Sequence, residues 1–362
     1  MHQNLVRSLH HVILCSLLIL STLTSLTCSC IKSINGTDLS LIANYFPLLE
    51  ELDLSYPKKL ENYESFLNGV EAISSTLFKL RKVNLSYHYY INNQLLVHLF
   101  KNWKLLEEAV IFGCNKITNT GIALALHETP TLRSLSLSSY FEPVSLLPLV
   151  SNNPSLSEII FDYTSENSVE NSNFLKDIVV SPQLKSLDLT LNYWLVDESI
   201  KIFVSSFPNL QLLNLSHCCN ISEEAICHVL KRCHKIRHLD LTYCEVKLHG
   251  LNFEVPNLEV LNLSYTYVDD EALKAISMKC RGLLQLSLED CCNVREKGVK
   301  HVIENCTQLR EINLKGCDKV HSNIVALMVF SRPSLRKITA PPHYCFDYEE
   351  MKVFSRQGCL VY

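Results

Sequence analysis

Glycine is scarce in this chain, with 9 residues among 362. Loops that cradle phosphate groups need closely spaced glycines, because the backbone must approach the phosphates, and neither a Gly-x-Gly-x-x-Gly nor a P-loop pattern occurs. The Gly-x-Ser-x-Gly turn that exposes a nucleophilic serine is missing as well. The sequence therefore predicts a protein that is not an enzyme and that needs no cofactor.

An excess of positive charge is also lacking. The chain has 33 Lys and Arg against 37 Asp and Glu, for a net charge of -4, and its basic residues are spread evenly. Nucleic-acid binding needs basic side chains concentrated on one face, so no nucleic-acid partner is expected. Hydrophobic residues make up 47% of the chain and charged residues 19%, a balance that predicts a folded protein with a continuous core.

The pattern Leu-x-x-Leu-x-Leu recurs along the chain, and we call its second apolar residue the anchor of each repeat. Most anchors are 24 to 28 residues apart, a period typical of solenoids. One longer repeat carries a polar insertion at Lys58 to Glu64, and one shorter repeat is predicted to replace its helix with a loop near His249 and Gly250. The anchors are Leu26, Leu52, Val83, Ala109, Leu135, Ile159, Leu187, Leu213, Leu239, Leu261, Leu286, Ile312 and Ile338.

The two halves of each repeat differ in the spacing of their apolar residues. Leu213, Asn214 and Leu215 alternate apolar and polar side chains, which is the two-residue period of a strand with one buried face. Residues 221–230 place apolar side chains three and four positions apart, as in an amphipathic helix. Short links between the halves predict an α/β solenoid with parallel strands on one side, helices on the other, and a curved overall course.

The cysteines occur at recurring repeat positions, and we therefore interpret them as buried, reduced side chains. Reduced thiols favour an intracellular compartment. The segment from Cys218 to Cys244 is rich in Cys and His but lacks the Cys-x-x-Cys spacing of zinc sites, so no metal is expected. One group of cysteines follows the strands and a second precedes them: Cys114, Cys218, Cys244, Cys291 and Cys317; Cys233, Cys280 and Cys306.

The register Leu-x-x-Leu-x-Leu-x-x-Cys, followed by an Ile-Thr-Asp-x-Gly-like helix start, resembles the cysteine-containing leucine-rich repeats of plant F-box proteins. Residues 106–114 and 117–122 carry this register, and the stretches from Leu210 to Cys233 and from Leu283 to Cys306 match it equally well. The resemblance implies a ribonuclease-inhibitor-like horseshoe with strands on the concave face and helices on the convex face.

Family resemblance also carries a functional expectation. Members capture a target protein on the horseshoe, while an F-box near the N-terminus docks a Skp-type adaptor of an SCF ubiquitin ligase. The resemblance therefore implies the substrate-recognition part of such a ligase, acting in ubiquitin-dependent protein catabolism. No F-box-like Leu-Pro segment precedes the first repeat. A Skp-type adaptor is a further partner if an F-box exists upstream.

We divide the chain into an N-terminal apolar segment (1–22), a solenoid of about 13 repeats (23–340) and a C-terminal cap or tail (341–362). The apolar run from Val12 to Leu20 is too short to span a membrane, and no membrane partner is expected. The run has two interpretations. It fits a signal peptide, which predicts a secreted or membrane-associated recognition protein. It also falls where a repeat helix belongs, which predicts a protein of the cytoplasm or nucleus.

The candidate partner-binding residues lie beside the anchors and at the strand ends, because the anchors themselves point into the core. Tyrosines recur just past the strands, and tyrosine is enriched at binding surfaces. Tyr163 shares this position. The candidates are Asp53, Tyr56, Asn84, Tyr87, Asp188, Asn214, His238, Asp240, Tyr243, Asn262, Tyr265, Glu289 and Asn313.

Overall fold

The structure is a computed structural model that describes residues 22–30, 35–57, 62–139, 150–164, 180–345 and 347–362. Within these residues, fourteen short strands alternate with ten helices, and every described pair of neighbouring strands is parallel. The chain forms two compact units, residues 1–167 and 168–362. Each unit is a stack of strand–helix repeats, as the periodicity predicts.

The first unit contains six strands and four of the helices in the described part of the chain. Its strands are β1 (Ser25–Thr27), β2 (Glu51–Asp53), β3 (Lys82–Asn84), β4 (Glu108–Ile111), β5 (Ser134–Ser139) and β6 (Glu158–Thr164). Its helices are α1 (Gly36–Tyr45), α2 (Tyr63–Thr76), α3 (Asn93–Asn102) and α4 (Asn119–Glu128).

The second unit contains eight strands and six helices in the described part of the chain. Its strands are β7 (Ser186–Asp188), β8 (Leu212–Asn214), β9 (His238–Asp240), β10 (Val260–Asn262), β11 (Gln285–Ser287), β12 (Glu311–Asn313), β13 (Lys337–Thr339) and β14 (Leu360–Val361). Its helices are α5 (Asp197–Ser206), α6 (Glu223–Arg232), α7 (Asp270–Lys279), α8 (Glu296–Asn305), α9 (Ile324–Ser331) and α10 (Tyr348–Arg356).

Strand register follows the predicted anchors. Within each unit, anchor pairs with anchor across neighbouring strands, as Leu187 does with Leu213 and Leu286 with Ile312. This register places residues of equal repeat position side by side, one strand spacing apart, along the whole stack of a unit. The thirteen predicted anchors all lie on strands of the structure. Beyond them, β14 pairs with β13 inside the predicted cap or tail.

Each repeat buries one face of its strand and one stripe of its helix. Leu213 and Leu215 are fully buried, whereas Asn214 between them is half-buried. In α6 the buried side chains include Ile226 and Val229, which are three positions apart. Both periods predicted from the sequence are therefore present, and the strand and helix residues share a core.

Two irregular repeats test the sequence interpretation. No helix lies between β9 and β10, as predicted for the loop near His249 and Gly250. The insertion predicted at Lys58 to Glu64 is shorter than expected, because α2 already begins at Tyr63, where Asn62 caps the Ser65 amide. The insertion therefore contributes its last residues to the longest helix described, which has 14 residues.

The cysteines that follow the strands are buried and also donate hydrogen bonds. Each thiol points to the carbonyl two residues past the preceding anchor, at Sγ···O distances of 3.0 to 3.1 Å. Burial raises the pKa of Cys114 to about 11 and that of Cys244 to about 12. These thiols stay protonated and are poor nucleophiles and metal ligands. All described cysteines are free. The cysteines that follow the strands are Cys114, Cys218, Cys244, Cys291 and Cys317.

His88 occupies the same register position in the first unit. Its Nε2 lies 2.8 Å from the Leu54 carbonyl, the acceptor that corresponds to those of the cysteines. The side chain is 1% exposed, and its Nδ1 has no hydrogen-bond partner among the described residues. Burial lowers the pKa of His88 to about 4. The imidazole is therefore a neutral structural donor.

Candidate functional site

The Asp or Asn that follows an anchor is held within the turn after the strand. Asn214 Oδ1 accepts hydrogen bonds from the Ser216 amide at 3.0 Å and from its hydroxyl at 2.6 Å. Asp240 Oδ1 accepts the same pair from Thr242 at 2.9 and 2.6 Å. Such bonds satisfy amides that the end of a strand leaves unpaired. The other candidates that cap the turn amide are Asp53, Asn84, Asp188, Asn262 and Asn313.

In the second unit these side chains also bond from one repeat to the next. Asn214 Nδ2 donates to Asp188 Oδ2 at 2.9 Å, and Asn262 Nδ2 donates to Asp240 Oδ2 at 2.9 Å. Amide and carboxylate therefore alternate along β7 to β10. This order avoids placing two negative charges directly opposite each other on neighbouring strands, an arrangement that is destabilising.

The fourth residue past the anchor adopts a left-handed backbone in most described repeats. The φ angle is 58° at Tyr243, 59° at Tyr265 and 72° at Gly316. For a residue other than glycine this conformation costs about 1–2 kcal/mol, so the repeat geometry must impose it. The same position is left-handed at Cys30, Tyr56, Tyr87, Gly113, Leu191, His217 and Asp290.

Three aromatic rings at this position stack in the second unit. The ring centroids of His217 and Tyr243 are 4.4 Å apart, and those of Tyr243 and Tyr265 are 4.2 Å apart with an interplanar angle of 7°. These distances are close to the strand spacing of about 4.8 Å, so the parallel register itself brings the rings into contact. Tyr243 is 42% exposed and Tyr265 is 38% exposed.

A carboxylate continues this stack. The neighbouring Asp290 carboxylate raises the pKa of the Tyr265 hydroxyl. The Asp290 side chain in turn lies over Gly316, where any side chain would collide with the carboxylate. We call His217, Tyr243, Tyr265 and Asp290 the strand-end ladder. It spans β8 to β11 and presents partly exposed rings beside a negative charge.

The first unit has a shorter aromatic pair. The Tyr56 and Tyr87 rings stack with centroids 4.2 Å apart, and Tyr87 lies over Gly113. A Cβ at Gly113 would lie 2.8 Å from Tyr87 Cδ1, so the glycine makes room for the ring. The side chain of Tyr163 lies outside the described residues.

The residue before each anchor differs between the two units. In the first unit Lys82 Nζ lies 3.2 Å from Glu108 and 3.7 Å from Glu51, so that opposite charges pair along β2 to β4. A concavity of about 200 Å³ lies over these strands. In the second unit the corresponding residues include Leu212 and Val260, both half-buried. The surface over β2 to β4 is ionic, and the surface over β8 to β10 is partly apolar.

Several carboxylates lie on or just past β7 to β11 of the second unit. Asp188, Asp240 and Asp290 have no Lys, Arg or His partner within salt-bridge distance in the described part of the chain. Glu289 is different, because Lys315 Nζ lies 2.6 Å away and lowers its pKa through a hydrogen bond. Three carboxylates near the ladder thus lack a cationic partner within the described ranges.

The structure brings the sequence candidates together in two groups. Asp53, Tyr56, Asn84 and Tyr87 lie on or just past β2 and β3, and the remaining candidates lie on or just past β7 to β12. The sequence interpretation missed His217 and Asp290, which complete the ladder. Counting four residues past every anchor would have found both, because the register aligns that position whatever residue occupies it.

Neither a metal site nor a membrane span is found among the described residues. No group of three or more His, Cys, Asp or Glu side chains in these ranges is arranged to hold a metal ion. The described helices also lack the length and apolar character that crossing a bilayer requires. The apolar run from Val12 to Leu20 lies outside the described residues.

Comparison with known sequences confirms the repeat type. A profile of the family described as "Leucine Rich repeat" matches residues 256–277. The chain is 32% identical over 192 residues to F-box/LRR-repeat protein 4 of Bos taurus, covering 50% of this chain and 30% of that protein. It is 22% identical over 346 residues to GRR1-like protein 1 of Arabidopsis thaliana, covering 87% and 57% respectively. The chain thus spans less than two thirds of these relatives. Their names confirm the resemblance to F-box/LRR-repeat proteins.

Solved structures confirm the fold class. A structure described as "Crystal structure of Rad7 and Elc1 complex in yeast" matches 95% of this chain and 82% of that chain, with a TM-score of 0.57 and 18% identity. A structure described as "Crystal structure of TLR13-ssRNA13 complex" matches 88% and 46%, with a TM-score of 0.57 and 16% identity. At such identities the likeness concerns the fold alone, a leucine-rich-repeat solenoid of parallel strands and helices.

Proposed function

We propose that this chain is a non-enzymatic scaffold that captures a target protein as the substrate-recognition part of an SCF-type ubiquitin ligase. The similarity to F-box/LRR-repeat proteins from cattle and Arabidopsis carries this proposal. The repeat geometry is consistent with it, because strand-end side chains are held on a rigid backbone and partly exposed. The protein then acts in ubiquitin-dependent protein catabolism, in the cytoplasm or nucleus, with a Skp-type adaptor as second partner.

Co-purification tests the ligase assignment. The full-length protein, carrying a C-terminal tag that leaves its N-terminus free, is isolated from cells with and without a proteasome inhibitor. We expect a Skp-type adaptor and a cullin in the complex, together with a target that accumulates when the proteasome is inhibited. The tag alone is the control. A target that is recovered consistently without adaptor or cullin contradicts the ligase role and leaves a protein-binding scaffold.

The alternative function is a secreted or membrane-associated recognition protein, motivated by the apolar run from Val12 to Leu20. N-terminal sequencing of the expressed protein separates the two. Cleavage near Cys28 and Ser29 supports the alternative. An intact Met1 or His2 without a glycan contradicts it.

A further inference from the structure

We propose that the strand-end ladder binds a short, extended, basic segment of the target protein, with an Arg or Lys side chain directed at the Asp290 carboxylate. This inference rests on the proposed function in one respect only, since it concerns the same protein-binding surface. It adds the chemistry and position of the contact. A defined peptide can test it whether or not the protein works in a ubiquitin ligase.

Charge supports a basic occupant. The residues one before, one after and four after the anchors of β7 to β11 are partly accessible on the strand side, as are those three after an anchor except the buried Ser216 and Ser264. Across β7 to β11 these positions contain four carboxylates and neither Lys nor Arg. Lys315, just past β12, forms a salt bridge with Glu289 and also interacts electrostatically with Asp290. The residual negative charge on Asp188, Asp240 and Asp290 therefore attracts cations and disfavours a nucleic-acid backbone. The four carboxylates are Asp188, Asp240, Glu289 and Asp290.

The ladder supports a planar cation. Its rings cover one another's faces, so a partner meets their edges and the tyrosine hydroxyl tips. The Asp290 carboxylate raises the pKa of Tyr265 and so keeps its hydroxyl neutral, and the hydroxyl oxygen has lone pairs that can accept a hydrogen bond from the partner. Carboxylate and hydroxyl acceptors held side by side suit a guanidinium group, whose several N–H donors lie in one plane.

The neighbouring strand positions support a segment that alternates charged and apolar side chains. Leu212 and Val260 lie one residue before their anchors and are half-buried, and the exposed His238 lies between them in register. An extended segment directs successive side chains to opposite sides. Its basic side chain can therefore reach the ladder while others contact Leu212 and Val260.

The dimensions set the length of the segment. From β8 to β11 the ladder crosses three strand spacings, which is about 14 Å. An extended chain advances about 3.3 Å per residue, so roughly four residues of the target lie along the ladder. Rigid tyrosines near the centre of such a contact are the residue type that most often dominates binding energy.

The test uses a displayed library of random twelve-residue peptides, selected on the immobilised full-length protein. We expect the enriched peptides to share Lys or Arg, and the affinity of a labelled enriched peptide to fall steeply between low and high salt. Binding is then measured to Tyr243→Gly, Tyr265→Gly and Asp290→Asn. Each is expected to weaken binding about tenfold, as is typical of central contacts.

Matched controls keep this outcome interpretable. Glycine already occupies the ladder position at Gly113 and Gly316, so Tyr→Gly variants should fold, which circular dichroism checks. Tyr56→Gly and Glu51→Gln change the corresponding surface of the first unit and should alter affinity less than twofold. The inference is overturned if no peptide is enriched, if the enriched peptides lack basic residues, or if the first-unit variants cause the larger loss. None of these outcomes bears on adaptor or cullin binding.

Discussion

The two units place different chemistry at the same repeat positions. Before the anchors of β2 to β4, the first unit has Glu51, Lys82 and Glu108, whose charges pair with one another. Before the anchors of β8 and β10, the second unit has Leu212 and Val260. Charges that are already paired offer a partner little, because binding must break one ionic contact to make another. We therefore expect the second surface to be the better binding surface, because it offers apolar groups and carboxylates without a cationic partner.

The two units also differ in the buried side chains that follow their strands. At the position five residues past the anchor, four repeats of the second unit have buried thiols, whereas the first unit has the buried imidazole of His88 beside Cys114 of the next repeat. Both side chains donate to the same type of carbonyl, but only an imidazole can take up a proton near neutral pH. The units should therefore respond differently to acid.

The largest expected effect concerns this buried position. The folded chain holds His88 at a pKa of about 4, below its usual value, so the unfolded chain binds the proton more readily. The contribution of His88 to the free energy of unfolding is therefore complete at pH values above its pKa in the unfolded chain. It is lost as the pH falls toward 4, and the total loss is about 3 kcal/mol. Denaturant unfolding between pH 7 and 4.5 measures the slope.

The matched variant is His88→Cys, because cysteine fills this position in other repeats. It should flatten the pH dependence of the first unit, so that any loss of stability relative to the wild type is largest at pH 7 and shrinks as the pH is lowered. A variant that retains the full slope would assign the acid sensitivity to another group.

The alternating amide and carboxylate row comes next in expected size. Asn214→Asp places three carboxylates on neighbouring strands and removes the bond from Asn214 to Asp188. We expect a loss of roughly 2 kcal/mol at pH 7 that shrinks as the pH is lowered and carboxylates are protonated. Asn84→Asp, which stands beside Asp53 and Val110, should cost less. Equal losses would show that charge repulsion is not the cause.

Backbone strain at the ladder predicts a smaller difference. Tyr243→Ala and Tyr243→Gly both remove the stacked ring, but only glycine relieves the left-handed conformation at φ 58°. The glycine variant should therefore be the more stable by about 1 kcal/mol. The same comparison at Tyr56, whose φ is 56°, should give the same difference. Thermal or denaturant unfolding of the four variants decides whether strain is shared by both units.

The smallest effect is expected for the exposed ion pairs. Lys82→Gln breaks contacts to Glu51 and Glu108, yet the Lys82 side chain is 52% exposed. Such pairs contribute at most about 1 kcal/mol and are screened by salt. Lys337→Gln, equally exposed and paired with Glu311 at 3.8 Å, is the control in the second unit. A loss that persists in high salt would contradict a purely ionic contribution.

Much of the fold can be derived from the chain by counting. The anchors predict the strands, because burying one face of a strand and one stripe of a helix requires apolar residues at two different periods. Even the missing helix between β9 and β10 is visible as a shortened repeat. β14 escaped prediction because a two-residue strand carries too little apolar pattern to be recognised.

The candidate site is predicted less completely. Tyr243 and Tyr265 are recognisable as recurring tyrosines, and Asp240 and Asn262 as recurring polar residues beside the anchors. The contacts of these residues are not recognisable from the sequence, since the turn bonds of Asp240 and the stacking of Tyr243 on Tyr265 depend on side-chain positions in three dimensions. His217 is not recognisable in this way, because a histidine interrupts the recurring tyrosines at its repeat position.

The amino-acid sequence alone determined the repeat period, the anchors, the recurring cysteines and the family resemblance, since each is a pattern of residue types along one chain. Only the tertiary structure decided which side chains meet. Parallel register brings equal repeat positions to within one strand spacing, about 4.8 Å, and at that distance rings stack, amides separate carboxylates and buried thiols reach carbonyls of the preceding repeat. The strand-end ladder follows from that spacing.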